Sequence, residues 1–361
     1  MNKKLLFFAF LIKCGVSFSQ EAEVVTETTP PATVFAGSAD AYYKYDFSSV
    51  PDGYTSFTNT ENSFELGMAS IEASHSWDKA SVFVDLGFGS RAAQYNYNDT
   101  PYTFMIKQLT FTYDITDEFK VVGGAFGTHI GYELLDAVDN KNYSMSYAFS
   151  YGPFYNTGVK AIYTKNRFGI MLGITNPTDF KSAVDMGTNQ KTFIGQLSYV
   201  ADTGSAYFNF STGSSDPLLG EDKTQFDVVA SKQLGEKFGL GFNGTFVQVT
   251  GDNEKDSDWF SLVGYVNYKF QPKFLVAYRI EYFDATSTDY NDVTSYANTG
   301  LGPLTGSSVF ANTISLNYKV GNLTIIPEFR VDAASENVFV NTDFSLRGTN
   351  AYALIATTYS F

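Results

Sequence analysis

Charged residues recur two or four apart in segments that are otherwise apolar and aromatic. Arg279 and Glu281, Glu328 and Arg330, and Asp40 and Lys44 keep even spacing, which places each set on one face of an extended strand. Asp85, Arg91, Lys160, Asp227, Asn317 and Lys319 fall on the same face of their own segments. Charges of both signs along one face suit a water-filled lumen, where they set a transverse field on passing solutes. They equally suit pairs that staple a wall together, and spacing alone leaves both readings open. Other chemistry is thin. The two histidines are His75, beside Trp77, and His129. His129 with Glu133, Asp136 and Asp139 is a set able to hold a cation, but a second histidine and a defined loop geometry are lacking. Asp252, Glu254, Asp256 and Asp258 read as a solvated acidic loop. A serine hydrolase would need a Ser and an acid beside one of the two histidines, and no phosphate-binding glycine loop opens a helix. No catalytic residue, metal or cofactor is expected, and the chain does not read as an enzyme.

The elements that carry these charges are strands. NLTIIPEFRVD (322–332) sets Leu323, Ile325, Pro327, Phe329 and Val331 against Thr324, Ile326, Glu328, Arg330 and Asp332. GLGFNGTFVQV (239–249) alternates as far as Phe246 and then slips phase at Val247 and Val249, which a bulge would repair. Strands are expected near 33–47, 63–76, 79–91, 102–115, 118–128, 156–164, 167–176, 190–200, 203–212, 223–234, 237–249, 257–270, 273–285, 307–319, 322–334 and 349–361. At roughly 10 to 14 residues they exceed the usual strand length of about 5 to 6 and match the ~9 to 11 tilted residues that cross a bilayer. A sheet facing lipid must close on itself to satisfy its edges. The fold class is therefore all-β, a transmembrane antiparallel β-barrel of sixteen strands. Seven tight turns alternate with eight long loops, as short periplasmic turns and long outer loops require. Tyr113, Tyr163, Phe168, Tyr199, Phe238, Tyr268, Phe270, Tyr318 and Phe361 lie beside the short turns, as an interfacial girdle does.

One loop breaks the pattern. Residues 129–155 make the longest connection and are rich in aromatic and apolar side chains, so they must pack somewhere. Either 144–152 is a further strand, or the loop folds into the lumen and constricts it. In the second case Tyr132, Glu133, Asp136, Asp139, Asn142 and Tyr143 would form the constriction, and the three acids would bring negative charge into the passage. The alternating terminal strand, with Tyr359 and Phe361 on its lipid face, reads as the closing strand; its terminal aromatic resembles the assembly signal of outer-membrane barrels.

Several short motifs are similar to a known family. Gly131-Tyr132-Glu133, Asn142-Tyr143-Ser144, Gly152-Pro153-Phe154 and Thr157-Gly158-Val159 resemble the central block of the beta-barrel porin-2 (OmpL-like) family. Phe64-Glu65-Leu66 and Asp85-Leu86-Gly87-Phe88-Gly89 are similar to its N-terminal part. The resemblance implies an outer-membrane, porin-like channel, and passive passage of small hydrophilic solutes or ions is the expected function. The inward-facing constriction loop and recognition of a terminal aromatic by barrel assembly machinery are likewise features of the porins it resembles. The rival is a surface protein whose barrel is plugged and whose outer loops bind partners.

The start of the chain fits that compartment. Residues 1–19 carry Lys3 and Lys4, an apolar stretch from Leu5 to Ile12 and small residues at Ser17 and Ser19, the pattern of a secretory signal. Residues 20–32 read as an acidic periplasmic leader, and 33–361 as the barrel. The signal holds three of the 24 Lys and Arg residues and none of the 38 acids, so the remainder carries 21 − 38 = −17, which disfavours nucleic acid as a partner, and none is expected. Cys14, the one cysteine, lies inside the signal, so thiol chemistry is excluded from the rest. The expected partners are the outer-membrane lipid of a Gram-negative bacterium, the assembly machinery and small solutes. A homotrimer is an analogy with porins.

Overall fold

The computed structural model describes residues 32–51, 53–99, 103–182, 189–216, 221–251, 257–286 and 301–361. The expected signal segment, nearly all of the expected leader, and Asp252, Glu254 and Asp256 lie outside the described residues; Asp258 is in a strand, Ser257–Gln271, rather than in a loop.

Sixteen antiparallel strands close into a barrel. In chain order they are β1 (Val34–Asp46), β2 (Ser63–Trp77), β3 (Ala80–Phe88), β4 (Ile106–Asp114), β5 (Phe119–Gly127), β6 (Tyr155–Lys165), β7 (Phe168–Thr175), β8 (Thr192–Ala201), β9 (Gly204–Asp216), β10 (Glu221–Leu234), β11 (Phe238–Gly251), β12 (Ser257–Gln271), β13 (Phe274–Asp284), β14 (Ser308–Val320), β15 (Leu323–Ala334) and β18 (Thr349–Ser360). Two-residue strands β16 (Phe339–Val340) and β17 (Leu346–Arg347) form a hairpin in the last long loop, apart from the barrel. Each strand pairs with its chain neighbour, and β1 closes the ring on β18 from Ser38 opposite Ser360 to Asp46 opposite Tyr352. Closure leaves no edge to face lipid.

Phe361 marks that seam. Its ring lies against Gly37 of β1, where an added Cβ would come within 2.5 Å of the ring. Backbone bonds run both ways between the two residues, 3.0 Å from Phe361 N–H and 3.3 Å from Gly37 N–H. The glycine is what lets the terminal ring lie flat on the outer face. The other expected girdle aromatics also face outward beside the tight turns, exposed except for the half-buried Tyr318.

Three expectations are corrected. The third strand ends at Phe88, and Arg91 stands on a short helix, Ser90–Tyr95, that turns inward. Segment 144–152 is no strand, since Tyr147–Ser150 is one helical turn capped by the Ser146 side chain. No bulge follows Phe246, because β11 stays in register with both neighbours through Val249. The apparent slip has another cause: Val247 faces inward and packs with Tyr147, Trp259 and Phe283 beneath the third loop. An inward position can be apolar where the loop packs on it.

Candidate functional site

The lumen is organised by the third loop, residues 128–154, between β5 and β6. An irregular loop away from bulk water must find partners for its backbone N–H groups, and carboxylates supply them. Glu328 of β15 accepts from Tyr143 N–H at 2.7 Å and Ser144 N–H at 3.1 Å. Glu281 of β13 accepts from Tyr147 N–H at 2.9 Å and Ala148 N–H at 2.8 Å. Asp179 takes Phe154 and Tyr155 N–H at 2.7 and 2.9 Å where the loop rejoins the wall. Asp227 of β10 accepts from Gly131 N–H at 3.1 Å, and the loop's own Glu133 accepts from Ser146 N–H at 2.8 Å.

Ion pairs complete the anchoring. Glu133 is paired with Arg279 of β13, whose guanidinium also donates to the Met145 carbonyl at 3.2 Å. Arg330 of β15 pairs with Asp332 at 2.7 Å and donates to the same carbonyl at 2.7 Å. The loop then crosses the lumen. Asp136 meets Lys107 of β4 at 2.8 Å, and Lys107 meets Asp85 of β3 at 2.9 Å. The chain returns to β14, where Asn142 Nδ2 donates to Ser315 Oγ at 2.7 Å. Tyr143 donates its hydroxyl to Asp40 at 2.6 Å, and Arg91 lies over the Tyr143 and Phe57 rings while donating to the Leu135 carbonyl at 3.2 Å. Tyr132 stacks on Tyr265 at 4.2 Å between ring centres. Gly241 makes room, since a Cβ there would meet the Tyr132 ring at 2.6 Å.

The expected pore-lining residues therefore divide. Asp40, Lys44, Asp85, Arg91, Asp227, Arg279, Glu281, Glu328 and Arg330 do point inward, but all are buried, with Arg91 and Arg330 at 0% exposure. They hold the loop and each other instead of lining water, because a buried charge persists only when paired and hydrogen-bonded. Lys44 belongs to the same class, 3.6 Å from Asp46 with its ammonium over the Tyr352 ring. Only Lys160, half-buried, and Lys319, exposed, keep contact with lumen water.

The constriction residues divide too. Glu133 and Asp136 are spent on Arg279 and Lys107, while Asp139 is exposed. Desolvation of the Asp139 carboxyl inside the lumen, with repulsion from Asp136 second, pushes it up to about 6. His129 joins no acid. Its Nε2 lies 3.1 Å from the Phe210 carbonyl, and burial pushes the imidazole down to about 4, so it is neutral. Glu72, Asp85 and Asp136 present carboxylate oxygens within 4.8 Å of one another, but the Lys107 ammonium already sits against Asp85 and Asp136.

Lys107 escaped the parity reading, and a bulge is the reason. Asp85 opposes Gln108 while Leu86 opposes Ile106, so Lys107 is the extra residue on β4 and turns inward out of phase. A lysine that strict alternation would send to mid-membrane lipid costs about 2 to 4 kcal/mol, and that conflict was its signal. Asp179 had none, because it lies in a polar loop.

The family described as "Putative beta-barrel porin-2, OmpL-like" matches residues 33–361. The chain belongs to this family. No curated protein sequence matches it. Among solved structures it is similar to OmpT of Vibrio cholerae expressed in the outer membrane, with 12% identity, TM-score 0.59, and coverage of 93% of this chain and 99% of that one; OmpT has also been solved in a trimer form. The outer-membrane channel DcaP of Acinetobacter baumannii gives 13% identity, TM-score 0.59, and coverage of 92% and 98%. The anion-selective porin of Comamonas acidovorans gives 9% identity, TM-score 0.59, and coverage of 92% and 100%. At these identities the likeness is one of fold: this family member is a porin-type outer-membrane barrel.

Proposed function

We propose that this porin-2 family member is a narrow channel in the outer membrane of a Gram-negative bacterium, open to passive diffusion of small hydrophilic solutes or ions. The observation that carries the reading is the longest loop turned inward and bonded to the inner wall at β4, β10, β13, β14 and β15. A loop so held narrows a lumen without needing to move. Export through a cleaved signal at 1–19 and assembly as a trimer complete the proposal. Reconstituted in a planar bilayer, the protein should give discrete ohmic steps smaller than those of a barrel with a free lumen.

A second reading has its own support. Most inward charges are sealed beneath the loop, as a plugged barrel with a surface role would have them, and a silent bilayer would favour it.

The terminal strand is proposed to serve assembly rather than transport. Phe361→Ser removes the ring that packs on Gly37 at the seam and the end of the alternating pattern that assembly machinery is proposed to read. Heat-modifiable barrel in the outer membrane should fall sharply, with unfolded chain in the periplasm. Wild-type amounts of folded barrel would contradict the assignment.

A further inference from the structure

We infer that the water path favours anionic solutes bearing carboxylate or phosphate groups, drawn along two tiers of lysines between the third loop and the periplasmic mouth. The inference rests on the reading of the barrel as an open channel and names what that channel prefers.

Interior charges fall into two populations. The sealed one is held by ion pairs, Arg279 on Glu133, Arg330 on Asp332 and Lys107 between Asp85 and Asp136, and by backbone N–H groups donated to Glu281, Glu328 and Asp227. Such pairs exert little field on a solute. The other population meets water, and lysines dominate it. Lys120 of β5 opposes Ile162, and Lys160 of β6 opposes Val122. The two ammonium groups thus rise from one face, two rungs apart. Lys160 has no acid within ion-pair distance among the described residues and rests 3.9 Å over the Phe126 ring.

Halfway round the ring stands β14. Its exposed Lys319 is on the inward face, one residue from the strand's periplasmic end. Asn317 Nδ2 donates to the Lys141 carbonyl at 2.9 Å, which fixes the loop's own exposed lysine against the same wall. Lys120 and Lys319 make a lower tier at the strand ends, and Lys160 and Lys141 a tier above it.

Acids reach the same water at fewer places. Asp114 opposes Lys120 in register, Asp139 precedes Lys141 by two residues, and Glu72 borders Asp85 and Asp136, where Lys107 offsets one of the two charges. None forms an ion pair with the four lysines among the described residues. Among these water-facing groups the lysines outnumber the acids, within a chain of net charge −14. Low-dielectric walls focus such a field along the lumen. Lysine ammonium groups on flexible stems act as mobile point charges, which suits preference among ions in transit rather than tight capture of one ligand.

The test is the reversal potential of the reconstituted protein across a potassium chloride gradient, for wild type, Lys120→Gln/Lys160→Gln and Asp139→Asn. Folding of each variant is checked by heat-modifiable migration. Wild type should prefer chloride. The double lysine variant should lose that preference several-fold, and Asp139→Asn should strengthen it. Conducting steps that prefer potassium, or a double variant with the wild-type reversal potential, would overturn the inference while leaving the channel reading standing. Absence of steps in every variant would overturn the channel reading and the inference with it.

Discussion

Arg279→Met should be the most damaging single substitution inside this barrel. Methionine keeps much of the stem's volume but leaves Glu133 buried beside no cation, and breaking one side of a buried pair costs about 3 to 5 kcal/mol. The carbonyls of Ser144 and Met145 and the Thr313 hydroxyl lose a donor at the same time. The temperature at which the folded band disappears in a heat-modifiability gel should drop markedly. Adding Glu133→Gln should recover a good part of the loss, because the neutral amide no longer needs the guanidinium and its oxygen can still accept from Ser146. An unchanged melting temperature in the single variant, or no recovery in the double, would show that the pair is not the loop's anchor.

The second large effect is on conductance. Glu281→Ala/Glu328→Ala removes both carboxylates that hold segment 143–148 to β13 and β15. Hydrogen bonds to charged groups contribute about 1.5 to 3 kcal/mol each, and four of them are lost together. The remaining charges stay paired, Arg279 with Glu133 and Arg330 with Asp332, and no strand ladder is touched. The barrel should fold, while the loop segment lifts from the wall, so that single-channel conductance rises several-fold and becomes noisy. A folded variant with wild-type steps would mean that the loop does not set the width of the path.

How much of this was legible depended on whether two-residue alternation was the controlling physics. Where lipid lies outside and a lumen inside, alternation is enforced, and β15 reads directly: Glu328, Arg330 and Asp332 are inward as their parity demands. Where the loop packs on the wall, some inward positions turn apolar, and Val247 looks like a slip that is not there. Bulges hide residues in the opposite way, as Lys107 shows. The Gly67 stretch of β2 does so too, where register shifts to admit Asp40 and an added Cβ would collide with its carboxylate. The larger misreading concerned burial. Parity pointed Arg279 and Arg330 inward but could not give their distance from water, because the loop that seals them is remote in the chain; Arg91 is inward for another reason, the helix that follows Phe88. That the third loop must pack inside followed from its composition; that it crosses from β13 to β4 and back to β14 depended on side-chain partners no local pattern specifies.

The central claim is that the third loop already rests on the inner wall of an open barrel and fixes its width. Asn142 and Ser315 touch side chain to side chain across that contact, and Cys14, in the proposed signal segment, is the one cysteine of the chain. Single-channel conductance of Asn142→Cys/Ser315→Cys, recorded oxidised and then after reduction, tests the claim most directly. The account predicts that the disulfide forms in the folded protein and that the steps match wild type in both states, since the bond fixes the loop where it already lies. Failure of the bond to form, or steps that widen on reduction to a value wild type never shows, would contradict it.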